Sequence, residues 1–111
     1  MKIAFATNGK NLSDEIALHF GQAKSILIFD SKKKTFEVFE NPELKGEGLP
    51  PDFLKSQNAD AVIAFSLGSR AFEKFKNYKI KVLKAQEGTI LENIEKFGEG
   101  KLKKLTKEDV F

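Results

Sequence analysis

Short apolar runs separated by polar turns fill the first part of the chain, a pattern that predicts β-strands. The first run, Lys2–Thr7, ends at an Asn-Gly pair that favours a turn, and Ser25–Asp30 is a second apolar run. After a lysine-rich loop, Thr35–Glu40 alternates apolar and polar residues. The last two runs are therefore predicted to form an antiparallel hairpin. The stretch between the first two runs is predicted to be loop, with one short helical turn over Ile16–Leu18.

The rest of the chain alternates helical and strand patterns. The predicted elements are a helix over Pro51–Asn58, a strand over Ala61–Phe65, a helix over Ser69–Asn77, a strand over Ile80–Leu83 and a helix over Ile90–Gly98. Thr89 and Glu92 form a capping box for the last helix, whose predicted buried stripe includes Leu91. Helix–strand units make parallel neighbours through right-handed crossovers. We therefore predict one α/β domain over residues 1–111, with a mixed five-stranded sheet and helices on both faces.

Composition narrows the class of protein. The 111 residues are 41% hydrophobic, include no cysteine and carry a net charge of +3. Without cysteine, disulfides, thiolate zinc sites and cysteine-ligated iron–sulfur clusters are excluded within this chain. Interspersed charges predict a solvated surface and no nucleic-acid partner. Because no apolar run suits a membrane span or a signal peptide, we predict a cytoplasmic protein with no membrane partner. Abundant Lys and Glu suit a thermophile.

Two segments suggest binding chemistry. Gly68 stands where a predicted strand ends and a helix begins, so the first helical amides can hold an anion. Arg70, the only arginine, adds a bidentate fork for an oxyanion. His19 is the only histidine, and its ring nitrogen could bind a soft metal. Together these residues predict a site for an anionic or metal-bearing ligand.

Each of these residues also has a purely structural interpretation. On that interpretation Gly68 only permits the turn, Ser69 only caps the helix and Arg70 is only solvated. A lone histidine more often fixes a loop by bonding a backbone carbonyl than it forms a metal site, so the residues alone favour the structural role for His19.

Several short motifs occur in order along nearly the whole chain. They are Met1-Lys2-Ile3-Ala4, His19-Phe20-Gly21-Gln22-Ala23, Leu67-Gly68-Ser69-Arg70-Ala71-Phe72, Lys79-Ile80-Lys81-Val82, Glu87-Gly88-Thr89-Ile90 and Gly100-Lys101-Leu102. In order and spacing the chain resembles the dinitrogenase iron–molybdenum cofactor biosynthesis family, which includes NifX-type proteins and the C-terminal part of NifB. The chain departs from the usual family residues at Gln22 for arginine, Ser66 for asparagine, and Phe65 and Lys79 for glycine.

The resemblance implies a ribonuclease-H-like three-layer fold with strand order 3-2-1-4-5. It also implies a non-enzymatic protein that binds or carries an anionic metal–sulfur cluster containing molybdenum or iron, or a precursor of one, without covalent ligands. A protein that donates or accepts the cluster is the implied partner. The alternative is a metal-free regulatory module that binds a small ligand or a partner. Either form is expected to be a monomer or a weak homodimer.

In a sheet of this order, the binding crevice lies where the strand order reverses, beyond the carboxyl ends of the first and fourth strands. The candidate ligand-binding residues are Thr7, Asn8, Gly9, Lys10, Phe20, Gly21, Ser66, Gly68, Ser69 and Arg70, and the candidate metal ligand is His19. A two-metal nuclease on the same fold is disfavoured because the first strand carries no carboxylate.

Overall fold

Apolar and β-branched runs form the five strands of one sheet, as their patterns predict. In the computed structural model, which describes all 111 residues, the strands are β1 Lys2–Thr7, β2 Ser25–Asp30, β3 Thr35–Glu40, β4 Ala61–Ala64 and β5 Lys81–Lys84. Their order in the sheet is β3-β2-β1-β4-β5. Strands β1, β2 and β3 pair antiparallel, whereas β4 pairs parallel with both β1 and β5. The predicted mixed α/β sheet and its strand order are confirmed.

Three helices cover the two faces of the sheet. They are α1 Pro50–Ser56, α2 Ser69–Asn77 and α3 Ile90–Gly98, and three shorter 3₁₀ helices span Phe20–Gln22, Pro42–Lys45 and Lys107–Asp109. Leu54 of α1 and Phe75 of α2 are fully buried in one apolar cluster, and Ile90 of α3 is buried in the other. The prediction of helices on both faces is therefore confirmed.

The central strand β1 shows why both faces need cover. Its side chains alternate between the two clusters, with Ala4 and Ala6 on the α1–α2 face and Ile3 and Phe5 on the α3 face. All four residues are at most 1% exposed. A strand buried on both faces reads as a continuous apolar run, which explains the pattern of its sequence.

The start of α3 has the predicted capping box. The Thr89 side chain accepts a hydrogen bond from the Glu92 amide, and the Glu92 carboxylate accepts one from the Thr89 amide. The predicted burial of Leu91 is wrong, because this side chain is 44% exposed. Asn93 is buried instead, and its amide group bonds the backbone of Gln86 and Thr89.

Several predicted element boundaries also need correction. The helical turn over Ile16–Leu18 is wrong, because Ile16 forms an isolated antiparallel bridge with Thr7. Helix α1 begins one residue earlier and ends at Ser56 rather than at about Asn58. The predicted strands end at Phe65 and begin at Ile80, whereas β4 ends at Ala64 and β5 begins at Lys81.

The lysine-rich segment near residue 104 covers the outer edge of β5. Lys104 bridges Leu83, and the Leu105 amide donates to the Val82 carbonyl at 3.1 Å. Leu105 itself is buried in the core. Charged lysines along a sheet edge discourage pairing with other chains. None of the three helices has the length and apolar character needed to cross a bilayer.

Candidate functional site

A surface cavity of about 280 Å³ lies beyond the carboxyl end of β4. Four parts of the chain surround it. They are the loop from His19 to Gln22, Glu43 together with the start of α1 (Leu49, Pro50, Pro51), the start of α2 (Leu67, Gly68, Arg70, Ala71), and Phe111. The cavity thus brings together five residues that the sequence predicts for the site: His19, Phe20, Gly21, Gly68 and Arg70.

The start of α2 supplies free hydrogen-bond donors. Gly68 is the residue before the first turn, and no side chain caps the helix. The backbone amides of Arg70 and Ala71 make no hydrogen bond within the protein. The Arg70 guanidinium is exposed and forms no ion pair. These donors lie at the positive end of the helix dipole, so this part of the cavity favours a negative group.

Hydrogen bonds to the two residues before His19 hold this residue at the cavity. Just before it, the Ala17 amide donates to the Ala6 carbonyl at 2.8 Å, and the Ser66 hydroxyl donates to the Leu18 carbonyl at 2.9 Å. The His19 side chain makes no hydrogen bond, and its ring meets the Phe111 ring edge to face, with the centroids 6.1 Å apart. The structural interpretation, in which His19 fixes the loop by bonding a carbonyl, therefore does not hold.

Asn41 positions the 3₁₀ helix Phe20–Gln22, and the sequence analysis did not identify it. The side chain is fully buried, and its amide donates to the carbonyls of Gly21 at 3.3 Å and Ala23 at 2.8 Å. Its carbonyl accepts from the Glu43 amide at 3.0 Å. One side chain therefore ties the His19 loop to the loop that carries Glu43. Its position just after a strand and before Pro42 is a signal for a helix cap, not for a ligand site.

Glu43 is the acidic residue of the cavity, and it too was missed. A Cβ atom at Gly21 would lie only 2.9 Å from Glu43 Oε2. The glycine therefore lets the carboxylate lie against the 3₁₀ helix. The side chains that line the cavity thus include one carboxylate, Glu43, and one guanidinium, Arg70, whose formal charges are opposite. Only the fold brings residues 21 and 43 together, so no local sequence signal marks the contact.

The other predicted site residues lie outside the cavity lining. Thr7 is fully buried, donates its hydroxyl to the Glu15 carbonyl at 2.8 Å and accepts from the Gly9 amide at 3.1 Å. The Lys10 amide donates to Asp14 Oδ2 at 2.8 Å. Since these donors are already bonded within the turn, the end of β1 has few left for a ligand.

Three more predicted residues have structural contacts. The side-chain carbonyl of Asn8 accepts from the Lys24 amide at 3.1 Å, and the Ser66 hydroxyl bonds the Leu18 carbonyl. The Ser69 amide donates to the Phe111 carbonyl at 3.1 Å. The hydroxyl of Ser69 does not cap the helix, because the capping position is Gly68.

A hydrogen-bonded cluster joins the two helices beside the cavity. Lys74 Nζ lies 3.1 Å from both carboxylate oxygens of Asp52, and the Tyr78 hydroxyl donates to the same carboxylate. The hydrogen bonds from Tyr78 and then Lys74 lower the pKa of Asp52, and the bond to Asp52 raises the pKa of Tyr78. Asp52 is therefore ionised and Tyr78 protonated at neutral pH, so α1 and α2 stay connected.

The cavity holds a single imidazole and a single carboxylate. The structure contains no group of three or more His, Cys, Asp or Glu side chains able to hold a metal ion. Any metal bound here would therefore have fewer than three such protein ligands, with the remainder supplied by the bound species itself.

Fold and cavity together define a small α/β protein with a candidate ligand cavity beyond the carboxyl end of β4. The chain belongs to the Dinitrogenase iron-molybdenum cofactor family, whose model matches residues 1–100. The predicted family is confirmed.

Two relatives above 30% identity and one more distant structure with the same fold are similar to the chain. It is 32% identical to the uncharacterized protein MJ0580 of Methanocaldococcus jannaschii, a match that covers 94% of this chain and 91% of the relative. The Thermotoga protein TM1290, named as a candidate NifB protein of the DUF35 family, is 33% identical, with a TM-score of 0.81 and coverage of 95% and 93%. The apo orange protein of Desulfovibrio gigas shares the fold at 19% identity, with a TM-score of 0.83 and coverage of 95% and 92%.

Proposed function

We propose that this protein binds and carries an anionic metal–sulfur cluster containing molybdenum or iron, or a precursor of one, as cargo and without catalysis. The observation that carries the proposal is one cavity lined both by Arg70 and Ala71, whose amides are free, and by His19, whose ring makes no hydrogen bond. Membership of a family described by the iron–molybdenum cofactor supports this class of cargo.

The chemistry of the cavity suits such a cargo. Sulfide-rich metal clusters are negatively charged, so the Arg70 guanidinium and the free amides at the start of α2 would bind their outer atoms. Imidazole nitrogen is a good ligand for iron and copper, so His19 would bind a metal of the cluster. Phe20 and Leu67 line the cavity but are buried in the core, so they shape its wall rather than contact the cargo. In this proposal Gly68 leaves space for the cargo, whereas Gly21 leaves space for the Glu43 carboxylate.

The remaining predicted residues take supporting roles in this proposal. Thr7, Asn8, Gly9 and Lys10 shape the turn after β1, and Ser66 holds the segment that leads to His19. A carrier must also release its cargo, which non-covalent donors allow. We therefore propose that a partner protein donates or accepts the cluster at the open mouth of the cavity.

Anaerobic reconstitution tests the proposal. The purified protein is mixed with tetrathiomolybdate and copper or with iron and sulfide, desalted, and analysed for metal, sulfide and absorption. We expect a coloured complex of fixed stoichiometry that the double variant His19→Ala/Arg70→Ala does not form. Lys10→Ala is the matched control and should bind normally. A complex that the double variant forms equally well would contradict the assigned site.

One observation favours a second function. Glu43 and Arg70 both line the cavity, and their opposite charges suit a small ligand that carries both an anionic group and a hydrogen-bond donor. In this case the protein is a metal-free regulatory module. The Glu43→Gln variant separates the two functions, because removing the negative charge should strengthen binding of a purely anionic cluster and weaken binding of a ligand with a donor group. Calorimetric titration with tetrathiomolybdate and with phosphate- or sulfate-bearing metabolites measures both.

A further inference from the structure

The segment from Thr106 to Phe111, here called the strap, pairs with the chain that forms the cavity floor. The Leu67 amide donates to the Asp109 carbonyl at 3.2 Å, and the Phe111 amide donates to the Leu67 carbonyl at 3.0 Å. The Ser69 amide donates to the Phe111 carbonyl at 3.1 Å. The strap lies beyond residue 100, where the match to the family model ends.

The Asp109 side chain anchors the strap to β5 and also makes a hydrogen bond within the strap. Its carboxylate forms an ion pair with Lys84 at the end of β5, and it accepts a hydrogen bond from the Thr106 amide at 3.1 Å. No other residue of the strap makes an ion pair. The neighbouring Glu108 is exposed and its side chain makes no hydrogen bond, although it carries the same charge.

The strap uses part of the proposed ligand site. The Phe111 carbonyl accepts a hydrogen bond from the Ser69 amide, the first amide of α2. The partial negative charge of the carbonyl oxygen therefore lies where an anion would bind. The Phe111 ring lines the cavity and meets the His19 ring edge to face. The ring is 72% exposed, so little apolar burial holds it in place.

We propose that the strap is a reversible gate that competes with an anionic ligand for the start of α2. This inference rests on the proposed function. In the closed state the strap occupies the Ser69 amide and keeps the Phe111 ring against His19. With the strap closed, only the Arg70 and Ala71 amides are free. Release of Leu67 and Ser69 adds the Ser69 amide and moves the Phe111 ring away from His19, so the apparent affinity for an anion is lower the larger the fraction of closed molecules.

Two variants with opposite charge changes test the gate in the full-length chain. Asp109→Ala and Lys84→Ala both remove the anchoring ion pair. A simple charge effect would strengthen anion binding in the first and weaken it in the second, whereas an opened strap strengthens it in both. Glu108→Ala is the matched control, because it removes the same charge from the strap without removing an anchor. The probe is tetrathiomolybdate, titrated by its absorbance at constant ionic strength.

We expect both anchor variants to bind the probe about tenfold more tightly than the wild type, for a strap that is closed in about nine molecules of ten. Hydrogen exchange at the Leu67 and Phe111 amides should become faster in both, and Glu108→Ala should change neither measurement. Weaker binding by Lys84→Ala, or unchanged amide exchange in the two anchor variants, would overturn the gate. If the wild type binds the probe and the two anchor variants bind it with the same affinity as the wild type, only the gate is wrong. If neither the wild type nor any variant binds, the proposed function is wrong as well.

Discussion

The ends of β1 and β4 are neighbours in the sheet, but they leave their hydrogen-bond donors in opposite states. After β1, the Gly9 and Lys10 amides are bonded to the side chains of Thr7 and Asp14. After β4, the amides of Arg70 and Ala71 have no partner. Both ends lie at the sheet edge where ligands of α/β proteins bind. We therefore expect the first end to contribute stability and the second to bind the ligand.

The polar residues near each end explain this difference. Asp14 lies a few residues beyond the β1 turn, and its carboxylate accepts from the amides of Lys10 and Asn11 at 2.8 and 2.9 Å. Its counterpart after β4 would be a capping side chain, but Gly68 stands at that position and has none. A helix without a side-chain cap keeps its first donors available to other groups.

The largest predicted effect is the loss of ligand binding when the cation after β4, but not the one after β1, is removed. Arg70→Ala should weaken tetrathiomolybdate binding by about 2 to 3 kcal/mol, because it removes charged hydrogen bonds to the ligand. Lys10→Ala, which also removes one positive charge, should change binding less than about twofold because Lys10 lies outside the cavity lining. Isothermal titration at several salt concentrations measures both. An equal loss in the two variants would show that only overall charge matters.

Asn41→Ala should lower the free energy of unfolding by about 2 kcal/mol, because it removes the donor to the buried carbonyl of Ala23 and to the half-buried carbonyl of Gly21. It should also loosen the His19 loop and weaken ligand binding. Asn93→Ala is the matched control, since Asn93 is equally buried but holds the loop before α3. Urea denaturation and titration of the same samples are the measurements. The prediction fails if Asn93→Ala weakens binding as much as Asn41→Ala.

Replacement of glycine by alanine should have different effects after β1 and after β4. A Cβ at Gly9 would lie 2.1 Å from Asp14 Oδ2, so Gly9→Ala displaces that carboxylate and should cost about 1 to 2 kcal/mol of stability. Gly68 has φ −68°, and a Cβ there would meet only Phe111, at 4.0 Å. Gly68→Ala should therefore leave stability within about 0.5 kcal/mol but reduce binding, since its methyl group enters the cavity. Thermal unfolding and titration distinguish these outcomes, and a stability loss in Gly68→Ala would contradict the second.

A smaller effect on stability is predicted at the C-terminal end of α2. Lys79 has φ 58°, a left-handed conformation that favours glycine, and the Ile80 amide closes the helix by donating to the Phe75 carbonyl. Lys79→Gly should raise the free energy of unfolding by about 1 kcal/mol. Because the first turn of α2 is unchanged, ligand affinity should stay the same. Denaturation curves that show a loss of stability would contradict this account of the helix end.

The smallest predicted effect is a loosening of the strap at acidic pH. Hydrogen bonding to Lys84 and then to the Thr106 amide lowers the pKa of Asp109 from its ordinary value of 3.8. A carboxyl group whose pKa is lower in the folded state adds stability above the unfolded value and loses it as the pH falls through the folded value. Protection of the Phe111 amide should therefore decrease below about pH 4. The same decrease in Asp109→Asn, measured by hydrogen exchange, would assign the effect to another group.

The fold was largely predictable because short stretches of sequence specify most of its helices and strands. Apolar runs, the proline before α1 and the Thr89–Glu92 capping box mark the elements, and the family resemblance implied their order. The turn predicted at Ile16 is wrong because Ile16 pairs with Thr7, a contact that the local pattern does not mark. In α3 the buried positions are Ile90 and Asn93, whereas Leu91 is exposed although it is apolar.

The cavity was predictable only where the sequence carries a local signal. The glycine and the arginine at the start of α2, and the single histidine, stand out in the sequence. Glu43, Asn41 and Phe111 do not, because loops from three distant segments bring them to the cavity. Sequence position alone also treated the two strand ends alike, whereas side-chain acceptors from Thr7 and Asp14 distinguish them.

The most direct test of the central claim is to observe the backbone amides while the ligand binds. Tetrathiomolybdate is titrated into isotopically labelled protein, and amide shifts are followed at both strand ends. We predict large shifts at Arg70 and Ala71, with a smaller response at Gly9 and Lys10. Shifts concentrated at Gly9 and Lys10, with Arg70 and Ala71 unmoved, would contradict the assignment of binding to the end of β4.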